Sequence, residues 1–201
     1  MSWIRRIDYD DSDGLLRTLY DRVKGPAGNI DNVMKAHSLR PHTMEGHSAL
    51  YKAVLHHTGN TLPGWFLETV GIYVSLINRC AYSVTHHYAG LCRLLDDDAR
   101  AASIFAALEA GAPRRAFEGK EAALLVYAGK LTRTPGEMTE ADVEAARAAG
   151  ASDEEIFETN QVAAYFAYSN RLLNGLGITT EGDVLGQSPP TGDDLEDWAH
   201  R

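Results

Sequence analysis

Apolar residues recur at helical spacing along most of the chain. In the first such segment they repeat every three or four residues after Asp11 or Ser12, until KGPAGN at residues 24–29 interrupts the pattern. A second long segment ends near Gly59, and a third begins at Pro63. No stretch shows the spacing of strand, turn and strand. The pattern predicts an all-α fold in a compact helical bundle.

The third segment, WFLETVGIYVSLINRC, is apolar nearly all round. Its β-branched residues would also fit a buried strand, but its length exceeds that of a typical strand. Five further helical segments follow it. Thr139 with Asp142 and Ser152 with Glu155 have the spacing of helix caps, and Gly175 or Gly177 can end the last helix.

The length of 201 residues and the apolar fraction of 44% favour one domain, which we assign to residues 1–184. Residues 185–201 combine glycine, proline and acidic side chains. This composition predicts an arm that is either disordered or packed on a neighbouring subunit through Trp198.

The formal net charge of -9 argues against nucleic acid as the main partner. The chain shows no leader and no apolar run near the roughly 20 residues that a bilayer requires. We therefore expect a soluble, cytoplasmic protein without a membrane partner. Two cysteines are too few for the disulfide framework of a small secreted protein.

The candidate chemistry lies in NRCAYSVTHH, residues 78–87. On a helix Cys80, Ser83 and His87 share one stripe, and a serine or cysteine four residues before a histidine can hydrogen-bond it. Glu68, an isolated carboxylate in an apolar segment, is the candidate acid that orients the imidazole.

A single unbroken helix would hold Glu68 about 18 Å from Cys80, so the pair requires a chain reversal. Asn78 is a plausible helix end, and a reversal over 78–81 would lay Glu68 against His87. Cys80 and Ser83 would then lie at a helix N-terminus, where the helix dipole favours a thiolate.

The spacing from Glu68 through Cys80 and position 83 to His87 reproduces the motif E-x11-C-x2-C-x3-H. This motif resembles that of the alkylhydroperoxidase D and carboxymuconolactone decarboxylase superfamily, and further similarity to its peroxidase-related branch covers most of residues 15–178. The resemblance implies an all-helical homo-oligomer that reduces hydroperoxides with a thiol pair and a Glu/His proton relay.

Ser83 replaces the second cysteine of that motif, the residue that attacks the peroxide in two-cysteine members. Serine can form neither a sulfenic acid nor a disulfide. Cys92 is about 18 Å from Cys80 on a continuous helix, too far to replace the missing sulfur.

Three functions remain open. In the first, Cys80 alone reduces a hydroperoxide and an external thiol or thiol protein regenerates it. In the second, Glu68 and His87 act as an acid/base pair in the decarboxylation or isomerisation of a small carboxylate. The third, a Ser83–His87–Glu68 hydrolase triad, lacks a nucleophile elbow or an oxyanion hole.

Each residue also has a structural interpretation, such as a buried Cys80 or a capping Ser83. For His86 and Tyr82 the structural or interface interpretation is preferred, although either could contact substrate. The histidines show no i, i+4 pair, since His42 and His47 are five residues apart. We predict no metal and no other cofactor.

Overall fold

The computed structural model describes residues 2–201, and this part of the chain contains helices and no strand. The all-α prediction is confirmed. The α-helices are α1 Gly14–Val23, α2 Asn32–Lys35, α3 Pro41–Leu55, α4 Gly64–Ile77, α5 Ala81–Leu95, α6 Asp98–Glu109, α7 Gly119–Arg133, α8 Glu140–Ala148 and α9 Asp153–Leu176. Short 3-10 turns occupy Pro113–Arg115 and Pro135–Glu137. None of the described helices is long and apolar enough to cross a membrane.

Helix α4 is the centre of the bundle and packs against α5, α7 and α9. Every residue from Phe66 to Ser75 is buried, which explains why this segment is apolar nearly all round. At Gly71 an added Cβ would lie 2.3 Å from the Phe166 ring, so glycine permits the close approach of α9. This packing fixes the position of Glu68, which lies on the same helix.

The predicted reversal after α4 is confirmed. Asn78 ends α4, Arg79 has a φ of 55° in the left-handed region, and Cys80 precedes α5 as its N-cap residue. The Cys80 backbone N–H donates to Ser75 O at 2.9 Å. Helix α5 therefore begins directly after this turn and packs antiparallel to α4.

The two predicted capping boxes are also confirmed. Thr139 with Asp142 and Ser152 with Glu155 exchange the reciprocal hydrogen bonds that satisfy the first backbone N–H groups of α8 and α9. Gly177 ends α9 with a φ of 62°. The two residues of each capping box lie within four positions of one another, so they could be identified from the sequence without knowledge of tertiary packing.

The C-terminal arm packs on its own chain, which corrects the expectation that it is disordered or reaches a neighbouring subunit. Trp198 is 5% exposed and packs in a cluster with Leu19 and Tyr20 of α1. The Arg22 guanidinium lies 3.8 Å from the centroid of the Trp198 ring. The apolar face of α1 supplies the partner that the tryptophan needs, within the same molecule.

Candidate functional site

Glu68 and His87 form a buried pair between α4 and α5. Nδ1 of His87 lies 2.5 Å from Oε2 of Glu68, and their side chains are 13% and 4% exposed, respectively. Burial by itself would raise the pKa of Glu68, but the charge of His87 and its hydrogen bond outweigh burial and lower it. The ionised carboxylate can only accept a hydrogen bond, so the contact assigns a proton to Nδ1 of His87.

Cys80 and Ser83 lie side by side at the start of α5. The Cys80 thiol donates to the Ser83 Oγ at 3.5 Å, and both side chains are buried. Cys80 is completely inaccessible and packs against Tyr82, Leu173 and Ile178. The sulfur is thus enclosed in an apolar cluster behind the serine.

Tyr82 and His86 direct their polar atoms at one carboxylate, Asp183. The Tyr82 hydroxyl donates to Asp183 Oδ2 at 2.6 Å, and Nε2 of His86 lies 3.2 Å from the same oxygen. Asp183 also accepts from the backbone N–H of Asn32, and the Val33 N–H donates to the Tyr82 hydroxyl. These contacts join the start of α2, α5 and the segment after α9, which agrees with the structural interpretation of both residues.

A small cavity opens beside the Glu68–His87 pair. It offers about 40 Å³ to the centres of water molecules, enough for a few waters or a very small ligand. Tyr82, Ser83, His86 and His87 of α5 line it together with Glu68, whereas Cys80 is missing from the described lining residues. Gly90 of α5 also lines it, and the rest of the lining comes from distant segments: Asp31, Val33, Met34, His47, Tyr51, Tyr165, Ser169, Leu173, Gly186, Gln187, Ser188 and His200.

Two of these residues, Asp31 and His200, are functional candidates that the sequence reasoning missed. Oδ2 of Asp31 lies 2.8 Å from Nδ1 of His200, and the side chains are 3% and 5% exposed. They are 169 residues apart in the chain. No local spacing predicts such a contact, and the glycine, proline and acidic residues of the arm favoured disorder.

Three further histidines are buried near the cavity. Burial lowers the pKa of His37 to about 4, of His47 to about 3 and of His56 to about 4, so all three are neutral at pH 7. Tyr51 packs against His47 and His56, with ring centroids 6.5 and 4.8 Å away. Within residues 2–201, no three His, Cys, Asp or Glu side chains are grouped to hold a metal ion.

No protein-family profile and no curated protein matches the sequence. Solved structures do match. A peroxidase-related protein from Ralstonia eutropha, described as an alkylhydroperoxidase AhpD core, has a TM-score of 0.75 at 24% identity over 90% of this chain and 93% of its own. A peroxidase-related protein from a Silicibacter species has a TM-score of 0.71 at 21% identity, with the same shares of both chains.

A variant of the debrominase Bmp8 in complex with 2,3,4-tribromopyrrole matches more distantly. Its TM-score is 0.65 at 15% identity, over 90% of this chain and 91% of its own. At these identities the likeness concerns the fold. The chain has the alkylhydroperoxidase D fold of peroxidase-related proteins, as the motif from Glu68 to His87 predicted.

Proposed function

We propose that this chain is a proton-transfer enzyme in which His87, supported by Glu68, acts as a base on a small uncharged molecule bound in the cavity. The observation that carries the proposal is the 2.5 Å contact between two largely buried groups that both line the cavity. A base needs an imidazole with a fixed tautomer and an open nitrogen, and this pair supplies both.

The mechanism follows from the pair itself. With Nδ1–H donated to Glu68, Nε2 of His87 takes a proton from a C–H or O–H of the ligand and later returns it. The imidazolium formed in between is stabilised by the adjacent carboxylate. Positioned acid/base groups of this kind contribute about 10²- to 10⁴-fold in rate.

The charges on the cavity wall favour an uncharged ligand. Asp31 and Glu68 both line the cavity, and no lysine or arginine does so among the described residues. A carboxylate ligand would meet two buried carboxylates without a permanent cation to offset them. We therefore propose the acid/base function with an uncharged carbonyl compound as the ligand, in place of the small carboxylate considered from the sequence.

Hydroperoxide reduction by Cys80 is the second candidate. The 3.5 Å contact between Sγ of Cys80 and Oγ of Ser83 favours it, because Ser83 touches the sulfur and also lines the cavity. The thiolate would attack the peroxide and form a sulfenic acid, and the alkoxide would leave as the alcohol with a proton from His87. Two external thiols would then restore the cysteine and release a disulfide and water. The complete burial of Cys80 ranks this candidate second.

One experiment separates the two candidates. Deuterium incorporation at the α-carbon of small uncharged ketones and lactones is followed by ¹H NMR in D₂O, and consumption of cumene hydroperoxide with dithiothreitol is followed in parallel. We expect exchange that falls by at least about 100-fold in His87→Asn. It should persist in Cys80→Ser and in His42→Asn, a control at an exposed histidine.

Peroxide turnover that requires Cys80, in the absence of any ketone or lactone exchange, would contradict the proton-transfer proposal and support the second candidate. Exchange that is unchanged in His87→Asn would contradict the role of the Glu68–His87 pair.

A further inference from the structure

The cavity contains a second carboxylate–imidazole pair, Asp31 with His200. Both side chains line the same cavity as Glu68 and His87. The ring centroid of Tyr51 lies 6.2 Å from that of His87 and 6.5 Å from that of His200. Two acid–imidazole pairs therefore line one small cavity. The members of the second pair, Asp31 and His200, come from opposite ends of the sequence.

The C-terminal arm holds His200 in place. The backbone N–H of Arg201 donates to Ser188 O at 3.0 Å, which closes the arm on itself around His200. The Arg93 side chain anchors the same loop, donating to Gly186 O at 3.2 Å and to Ser188 Oγ at 3.0 Å. These contacts fix the imidazole against Asp31.

Two acceptor atoms of this pair have no hydrogen-bond partner. When Nδ1 of His200 donates to Oδ2 of Asp31, Nε2 is the ring nitrogen that can accept a hydrogen bond. Nε2 of His200 and Oδ1 of Asp31 are both buried and unpartnered. A buried acceptor without a donor is destabilising, so the pair is expected to have a partner that carries hydrogen-bond donors.

We propose that Asp31 and His200 form a ligand-binding pair, completed by the C-terminal arm, that accepts a hydrogen bond from the O–H group of a small uncharged ligand at Nε2 of His200. The inference deepens the proposed function by naming a ligand group for the same cavity, and it concerns binding rather than turnover. An alcohol, phenol or hydroperoxide has the required donor.

The test compares two probes that differ in this donor. 2-Fluoroethanol is a very small uncharged molecule that donates an O–H, whereas 1-fluoropropane has a methyl group in place of the hydroxyl. Binding of each is measured by ¹⁹F NMR titration of the full chain. We expect the wild type to prefer the alcohol by about tenfold, the effect of one hydrogen bond.

The variant His200→Asn is the sharpest change available, because an asparagine amide can still donate to Asp31 from the position of Nδ1 but has no group at Nε2. It should abolish the preference for the alcohol. His200→Gln, which can bring an oxygen near the position of Nε2, should retain part of it. Trp198 fluorescence in a Trp3→Phe, Trp65→Phe background reports whether the arm stays docked in each variant.

A wild type that binds both probes equally or binds neither would overturn the proposal, and so would a full preference in His200→Asn. If His200→Asn does not fold, Asp31→Asn is the deciding variant. We expect it to reduce the preference for the probe that donates an O–H. His87→Asn should keep the preference for the alcohol while losing deuterium exchange, so failure of this inference is distinguishable from failure of the proposed function.

Discussion

Nδ1 of His87 lies 2.5 Å from Oε2 of Glu68, although the two residues belong to different helices and are 19 positions apart. The three residues 78–80 separate α4 from α5, so the contact depends on an abrupt reversal of the chain. Gly90 lies one turn after His87, and an added Cβ there would be 3.5 Å from the Glu68 carboxyl carbon. The carboxylate is enclosed by its partner helix.

Glu68→Gln should slow deuterium exchange by about 10- to 100-fold, because a neutral amide no longer stabilises the imidazolium of His87. We expect kcat to fall more than KM rises, since the charge matters most when the ring is protonated. Glu109→Gln, at an exposed carboxylate, is the matched control. Equal rates in wild type and Glu68→Gln would remove the carboxylate from the mechanism.

The protein should lose stability as the pH falls below 6.5. In the unfolded chain His37, His47 and His56 take up protons near their ordinary pKa, whereas burial lowers their folded pKa values to about 4, 3 and 4. The unfolded state therefore binds more protons, and each histidine lowers the free energy of unfolding by about 1.4 kcal/mol per pH unit. This contribution is fully present above pH 6.5 and is lost as the pH falls to about 4 for His37 and His56 and to about 3 for His47.

Urea unfolding between pH 7.5 and pH 4.5 measures this slope. His56→Gln should reduce it, because one of the three buried titrating groups is removed. His42→Gln should leave the slope unchanged, since that side chain is exposed. A pH-independent free energy of unfolding in the wild type would show that burial does not lower the pKa values of these three histidines.

Ser83→Cys should create a disulfide with Cys80. The present Sγ to Oγ distance of 3.5 Å, at positions i and i+3, is close enough for a small side-chain rotation to bring two sulfurs into bonding range. Oxidation should remove two thiols in a free-thiol assay of the variant, leaving Cys92 as the one that reacts. The cavity-lining sulfur should also raise the rate of cumene hydroperoxide reduction above that of the wild type. Three free thiols after oxidation would contradict the inferred geometry.

Gly186→Ala should loosen the C-terminal arm and weaken binding of 2-fluoroethanol. Gly186 has a φ of 78°, and an added Cβ would lie 3.0 Å from the Cβ of Ala89 and 3.1 Å from its backbone carbon. Gly182→Ala is the matched control, since its φ of 85° imposes the same strain with no neighbour within 4 Å. Limited proteolysis within residues 185–201 should be faster in Gly186→Ala than in Gly182→Ala. Equal cleavage rates would indicate that the contact with Ala89 does not hold the arm.

The sequence by itself determined the helical architecture and the pairing of Glu68 with His87. Helix caps such as Ser152 with Glu155 act over four residues, and a periodicity of 3.6 residues sets which side chains share a face. Asn78 could be identified as a helix end because an isolated carboxylate in an apolar helix requires a partner.

Only the tertiary structure decided which groups line the cavity. Cys80 is enclosed because the end of α9 supplies Leu173 and the following segment supplies Ile178, and neither contact has a local signal. The pairing of Asp31 with His200 likewise joins positions 169 residues apart. Local spacing follows from backbone geometry, but burial and hydrogen-bond partners depend on how distant segments pack together.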